Sequence, residues 1–238
     1  MSKNCLVIGA SGGIGRAICE RLTAEGYKLL VHYNQNKIVI DRLCDVLPDE
    51  SILGIIQGDL STNNGITTFL EGLHFPIDSV IFASGKSHYG LFQDVSEVEM
   101  DKMINLHVKS PWVISQHLLP YMIQNKFGHI ILISSIWGEI GASCEVIYSS
   151  VKGAQDSFVK ALAKEVAPSG ISVNGVSPGF IDTSMNDTFS EDDKRMIMDE
   201  IPVKRAGKPE EVAHAVAFLL DEKSSYIQGE MLKVTGAW

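Results

Sequence analysis

Tyr148 and Lys152 are the residues of this sequence best matched to acid–base chemistry. They stand four apart in Tyr148-Ser149-Ser150-Val151-Lys152 at the start of a helical run, a spacing that puts both on one helix face. A phenol with a pKa near ~10 is a poor acid–base group at neutral pH, and an ammonium beside it favours the ionised form and lowers that value. The same pattern occurs on ordinary solvated helix faces, so its position in the fold decides. Ser135 lies thirteen residues upstream, just past a short apolar run. In a sheet of alternating strands and helices the ligand crevice opens at the carboxyl ends of the strands, where this hydroxyl would orient a substrate. Asn105, in Ile104-Asn105-Leu106-His107, is a fourth candidate, although a buried amide within a helix is as often structural.

A second group of residues could hold a dinucleotide. The run Cys5–Gly9 leads into Gly9-Ala10-Ser11-Gly12-Gly13-Ile14-Gly15-Arg16 and then a helical stretch. Glycines there allow a tight turn and close backbone approach, and they aim helix N-terminal N–H groups at a diphosphate. The spacing GxxxGxG differs from GxGxxG, with the same mechanics. The second strand ends in His32-Tyr33-Asn34-Gln35-Asn36-Lys37, without the carboxylate that NAD-preferring sites offer the ribose hydroxyls. A 2′-phosphate would meet no repulsion, and Ser11, Asn34 and Lys37 could donate to it, so NADPH is the expected cofactor. Asp59, in Gly58-Asp59-Leu60 after the third strand, could accept from the adenine amino group; a plain role near a helix N-cap competes with that.

Short apolar runs alternate with amphipathic stretches, which predicts a parallel sheet covered by helices on both faces. The expected strands are Cys5–Gly9, Leu29–Tyr33, Ile52–Gln57, Val80–Ala83, His129–Ser134, Ser172–Val176 and Met231–Val234; the longest expected helices are Ser96–Asn125 and Ile147–Ala167. From about 180 to 208 there is no good strand, only a polar helix around Ser190–Glu200, as in a substrate lid. With 45% hydrophobic residues the chain can bury a sizeable core, and its net charge of −9 argues against broad binding to nucleic acid or an anionic membrane. No apolar run approaches the ~20 residues of a membrane span. Met1-Ser2-Lys3 is too short a lead for a signal peptide, and Cys5, Cys19, Cys44 and Cys144 are scattered without a CxxC pair. The seven histidines form no zinc motif. The expected setting is a reducing cytoplasm, with no metal.

In order and spacing these residues resemble the short-chain dehydrogenase/reductase family over essentially the full length. The resemblance rests on Gly9-x3-Gly13-x-Gly15, Asn105, Ser135, Tyr148-x3-Lys152, and Asn174-Gly175-Val176-Ser177-Pro178-Gly179 with Ile181 and Thr183. Arg205-x-Gly207-x-Pro209-Glu210-Glu211-Val212-Ala213 and Gln228-Gly229-Glu230 also match. It implies one α/β Rossmann-type domain over 1–238, a doubly wound parallel sheet of seven strands in the order 3-2-1-4-5-6-7, and a homotetramer. Tyr148 would be the proton donor, Lys152 would lower its pKa and bind the nicotinamide ribose, Ser135 would hold the carbonyl oxygen, and Asn105 a proton-relaying water. Pro178, Gly179, Ile181 and Thr183 would line the nicotinamide face, with Gly12, Ile14, Leu60, Ser84 and Gly85 completing the cofactor site. Two departures stand out: Ile8 replaces a usual Thr, and Phe82-Ala83-Ser84-Gly85 replaces Asn-Asn-Ala-Gly, so the central strands need other support.

Within the family the chain looks like the 3-oxoacyl-[acyl carrier protein] reductases. The segment Ser134–Glu145 resembles more closely the elongation factor P 5-aminopentanone reductases, which reduce a ketone carried on a modified lysine. Lys126 keeps one basic residue where carrier-protein reductases have a docking cation, while Pro168-Ser169-Gly170 offers none at a second such place. Glu139 and Glu145 fall between Ser135 and Tyr148; at the pocket mouth they would attract a cationic amine and disfavour an anionic carrier arm, unless both face solvent. A dinucleotide-sensing regulator that has lost the chemistry is the reading from another class; such a protein need not keep all four catalytic residues.

Overall fold

The computed structural model describes residues 3–187 and 189–238; Met1, Ser2 and position 188, inside the expected lid, lie outside them. Among the described residues seven strands form one sheet: β1 (Asn4–Ile8), β2 (Lys28–Tyr33), β3 (Ile52–Gln57), β4 (Ser79–Phe82), β5 (Gly128–Ile133), β6 (Ile171–Pro178) and β7 (Met231–Val234). Their order is β3-β2-β1-β4-β5-β6-β7, as expected, and every pairing is parallel. The helices are α1 (Gly13–Ala24), α2 (Lys37–Val46), α3 (Asn63–Glu71), α4 (Glu97–Ile104), α5 (Ser110–Asn125), α6 (Trp137–Ile140), α7 (Val146–Val166), α8 (Glu191–Glu200) and α9 (Pro209–Leu220).

The strand period of two divides the core. Cys5 and Val7 point to one face with Leu29 and Val31, against Ile18 and Leu22 of α1, Ile40 of α2 and Val216 of α9. Leu6 and Ile8 point to the other with Leu30, Val80 and Ile130, against Phe69 of α3, Ile114 and Leu118 of α5 and Val159 of α7. Each such side chain, fully removed from water, contributes about 1.5–3 kcal/mol. Both faces being covered is why the strands read as unbroken apolar runs.

One expected helix is not continuous. The stretch Ser96–Asn125 is broken into α4, a π-turn over Asn105–Lys109, and α5. Pro111 gives the reason: it has no N–H for the His107 carbonyl four residues back, so the ladder slips by one and the Ser110 N–H reaches the Asn105 carbonyl instead. The Ser110 hydroxyl then takes the Leu106 carbonyl at 2.8 Å.

The segment between β6 and α9 is anchored at its two ends. Ile181 and Gly207 form a parallel bridge, with the Asp182 N–H on the Gly207 carbonyl at 2.8 Å and the Gly207 N–H on the Phe180 carbonyl at 2.9 Å. Helix α8 between them has no buried residue and is held by a capping box between Ser190 and Asp193.

Candidate active site

Ser135 lies two residues past β5, where its Oγ accepts from the Trp137 N–H at 3.2 Å and its hydroxyl is near enough to Tyr148 to favour the phenol's ionised form. Tyr148 sits in the first turn of α7, buried, with its ring edge-on to His107 at 5.8 Å between centroids. One turn on, Lys152 is only 3% exposed; its Nζ donates to the Ile133 carbonyl at 2.8 Å and to Gln155 Oε1 at 3.1 Å. That Nζ is 5.5 Å from the centre of the Tyr148 ring. Three of the four expected chemical residues therefore converge beyond the carboxyl end of β5.

The electrostatics depart from expectation. Burial pushes the Tyr148 phenol well above its ordinary value. Burial also pushes Lys152 down to about 7, against the pull of Asp156. The shift of the phenol is set by its own desolvation, with Glu145 adding to it and Ser135 opposing it. The consequence is a neutral phenol that holds its proton at neutral pH, the state a proton donor requires.

Asn105 is in the π-turn, and its Nδ2 donates to the Ser61 carbonyl at 3.1 Å, tying the turn to the loop after β3. The link from the π-turn to Lys152 instead runs through Gln155, whose Nε2 donates to the His107 carbonyl at 2.8 Å. His107 is fully buried; its Nε2 lies 3.0 Å from the Lys86 carbonyl, and burial pushes its pKa down to about 3. Neither Gln155 nor His107 was assigned a role from sequence. The available signal was a polar residue three after Lys152, on the helix face that also carries Tyr148, Val151 and Val159.

The glycine turn fits a dinucleotide. Gly9 has φ 87°, and a Cβ there would lie 2.5 Å from the Ser84 nitrogen; a Cβ on Gly15 would collide with the Gly9 carbonyl oxygen. Helix α1 has neither a side-chain cap at Gly12 nor an acidic residue in its first turn, so its leading N–H groups are open to an anion. Thr183 packs beside Gly13, while Gly179 donates its N–H to the Val234 carbonyl at 3.0 Å. His32, missed from sequence, braces this turn: Gly9 N–H donates to its Nδ1 at 3.3 Å, and its Nε2 faces the Gly58 carbonyl at 3.0 Å. His107 is placed similarly beyond the Phe82-Ala83-Ser84-Gly85 segment, with its Nε2 against the Lys86 backbone.

Other expected cofactor residues are engaged within the protein. Lys37 Nζ pairs with Asp41 at 2.6 Å and Asn34 Nδ2 reaches Asp59 at 3.4 Å. Asp59 Oδ1 also accepts from the Ser61 N–H at 3.0 Å and hydroxyl at 2.7 Å, so one of its two oxygens is engaged in the turn before α3. The side chains of Leu60 and Ile181 are core, Ile14 packs against that core, and Pro178 ends β6 with its carbonyl on the Ile136 N–H at 3.0 Å. Of the two carboxylates before Tyr148, Glu139 is 54% exposed and paired with Lys233 at 2.6 Å. Glu145 is half-buried, at the start of α7, with its pKa raised by burial. No group of three His, Cys, Asp or Glu among the described residues is arranged to hold a metal, and no described helix is long and apolar enough to cross a membrane.

Comparison with known proteins agrees with this geometry. A family model described as enoyl-(acyl carrier protein) reductase matches residues 9–237. An uncharacterized oxidoreductase of Bacillus subtilis (strain 168), YmfI, is 50% identical over 240 residues, covering 100% of this chain and 99% of its own. The 3-oxoacyl-[acyl-carrier-protein] reductase FabG of Staphylococcus epidermidis is 31% identical, with 99% and 98% covered. A crystal structure described as an NAD(P)-dependent gluconate 5-dehydrogenase from Beutenbergia cavernae, with bound NADP at low occupancy, superposes with a TM-score of 0.91 at 26% identity, covering 99% of this chain and 96% of that one. The chain belongs to the short-chain dehydrogenase/reductase family and is a nicotinamide-dependent oxidoreductase acting between C=O and CH–OH.

Proposed function

We propose that this chain is an NADPH-dependent ketone reductase whose substrate is the 5-aminopentanone group on a modified lysine of elongation factor P. The observation that carries this reading is the buried Tyr148 phenol one helical turn from Lys152, with Ser135 just past the carboxyl end of β5. Bound NADPH supplies the hydride. Tyr148 gives its O–H proton to the carbonyl oxygen, and Ser135 orients that oxygen with its hydroxyl. Lys152, one helical turn away, stabilises the phenolate left behind; a general acid of this kind contributes typically ~10²–10⁴-fold.

The cofactor is held by the backbone of Gly9, Ser11, Gly12, Gly13, Ile14 and Gly15 at its diphosphate, and by Tyr148 and Lys152 at the nicotinamide ribose. Asp59, Leu60, Ser84 and Gly85 serve the adenosine and ribose side, and Pro178, Gly179, Ile181 and Thr183 the nicotinamide face. Asn34 and Lys37 receive the 2′-phosphate, Lys37 by exchanging Asp41 for it. Segment 180–208 acts as the lid: Phe189 meets Tyr89 at 6.3 Å and Phe180 at 6.4 Å. A homotetramer is supported by apolar side chains left exposed, among them Ile104, Trp112 and Phe218. The working compartment is the cytoplasm.

The substrate assignment rests on Glu145. Its charge lies close enough to raise the pKa of Tyr148, so a cationic amine beside the ketone gains an attraction that an anionic carrier arm would lose. The second reading, a 3-oxoacyl-[acyl carrier protein] reductase, is favoured by the full-length likeness to such enzymes. Against it, Lys126 stands before β5, whose six residues place it roughly 20 Å from the strand end that bears Ser135. The test supplies NADPH with ketone-modified elongation factor P and, separately, with a 3-oxoacyl carrier protein. Preferential reduction of the first, weakened about tenfold in KM by Glu145→Gln, supports the assignment; reduction of the carrier substrate alone overturns it. No NADPH oxidation with any ketone would leave the sensing regulator standing.

A further inference from the structure

Gln155 occupies an unusual place. It lies on the face of α7 that buries Tyr148, Val151, Val159 and Ala163, and it is 3% exposed. A primary amide in such a setting is costly unless both of its ends are bonded. Both are: Oε1 accepts from Lys152 Nζ at 3.1 Å and Nε2 donates to the His107 carbonyl at 2.8 Å. The amide orientation is unambiguous, since an ammonium can only donate and a carbonyl can only accept. The His107 carbonyl is available because Pro111, four residues on, has no N–H to offer it. A proline in one helix thus creates an acceptor that a glutamine in another fills, and the same glutamine grips the lysine next to the phenol.

We propose that Gln155 is a positioning residue for the reduction: its amide clamps the Lys152 ammonium to the π-turn, fixing where that ammonium points and favouring its charged form beside Tyr148. This rests on the reading of Lys152 as the partner of Tyr148. The titratable groups that face Lys152 are Tyr148 and Asp156 on its own helix and His107 on the π-turn; from β5 it meets the Ile133 carbonyl. None of these replaces the Gln155 oxygen. Burial already drives Lys152 down to about 7, so the loss of one acceptor moves its titration across the working pH range.

The experiment titrates Lys152 by NMR in protein labelled at the lysine side chains, alongside NADPH oxidation with ethyl acetoacetate as a small activated ketone. Gln155→Leu keeps the volume and removes both bonds; the Lys152 midpoint moves down by about one pH unit, and turnover at pH 7.5 falls about tenfold. Gln155→Glu keeps the acceptor and adds charge, so the midpoint moves up by about one unit or more. Opposite shifts are a result that mere packing would not give. An unmoved midpoint in Gln155→Glu, or in a folded Gln155→Leu, overturns the proposal. The NMR arm reads Lys152 even if no ketone is reduced, so a failure of the reductase reading is told apart from a failure of the clamp.

Discussion

Replacing His32 with Leu tests the bracing of the cofactor turn. In the folded protein His32 is 2% exposed, edge-on to Phe69 at 5.2 Å, and bonded on both ring nitrogens. Because Nδ1 accepts from the Gly9 N–H, the proton must be on Nε2, which donates to the Gly58 carbonyl. Leucine fills most of the volume and leaves the donor at Gly9 and the acceptor at Gly58 unpaired. A fully buried orphan costs about 1–3 kcal/mol; these two groups are part-buried, so the pair together costs about 1–3 kcal/mol. Gly9 opens the diphosphate turn, so its displacement also weakens NADPH about tenfold. The assay is urea unfolding followed by fluorescence, with NADPH titration on the same samples. His32→Gln retains an N–H at similar reach and falls between wild type and His32→Leu. A loss under about 1 kcal/mol with unchanged NADPH affinity refutes the bracing role.

Stability should fall in mild acid: burial holds His32 and His129 at about 4 and His107 at about 3, below the ~6.5 of an unfolded histidine. The unfolded chain then binds more protons through that window, so the stability is full above pH ~6.5 and is lost as pH falls toward 4; urea midpoints at pH 7, 5.5 and 4.5 check this. Gly15→Ala drives a Cβ into the Gly9 carbonyl, and abolishes NADPH binding in a fluorescence titration while circular dichroism still reports a folded chain. Ser190→Ala removes the capping box of α8, costs about 1 kcal/mol locally, and should speed proteolysis within 180–208 relative to the rest of the chain.

The sheet was legible because both its faces are covered: Ile52–Gln57 and Met231–Val234 read as strands to the residue, and the strand order followed from the motifs. The π-turn was not, since its cause is a missing N–H at Pro111 rather than any break in the hydrophobic pattern of Ser96–Asn125. That Tyr148 and Lys152 share a helix face was legible from their spacing, because helix geometry fixes what i and i+4 do, and the place of Ser135 was legible from the strand before it. The direction of the Tyr148 shift was missed: spacing shows the ammonium and not how deeply the phenol is buried. Glu139 and Glu145 looked alike in sequence, and only the fold shows Lys233 claiming the first of them. Lys37 and Asp41 illustrate the reverse case, an i,i+4 pair visible in the sequence that occupies the cation intended for a 2′-phosphate.

The central claim, that the Tyr148 phenol is the proton donor of a ketone reduction, is tested most directly by Tyr148→Phe. The measurement is single-turnover NADPH oxidation with a reducible ketone, with NADPH affinity determined on the same protein. The account predicts a rate lower by about 10²–10⁴-fold with affinity within a few-fold of wild type, since the ring and its edge contact with His107 are kept. A rate within threefold of wild type would contradict it.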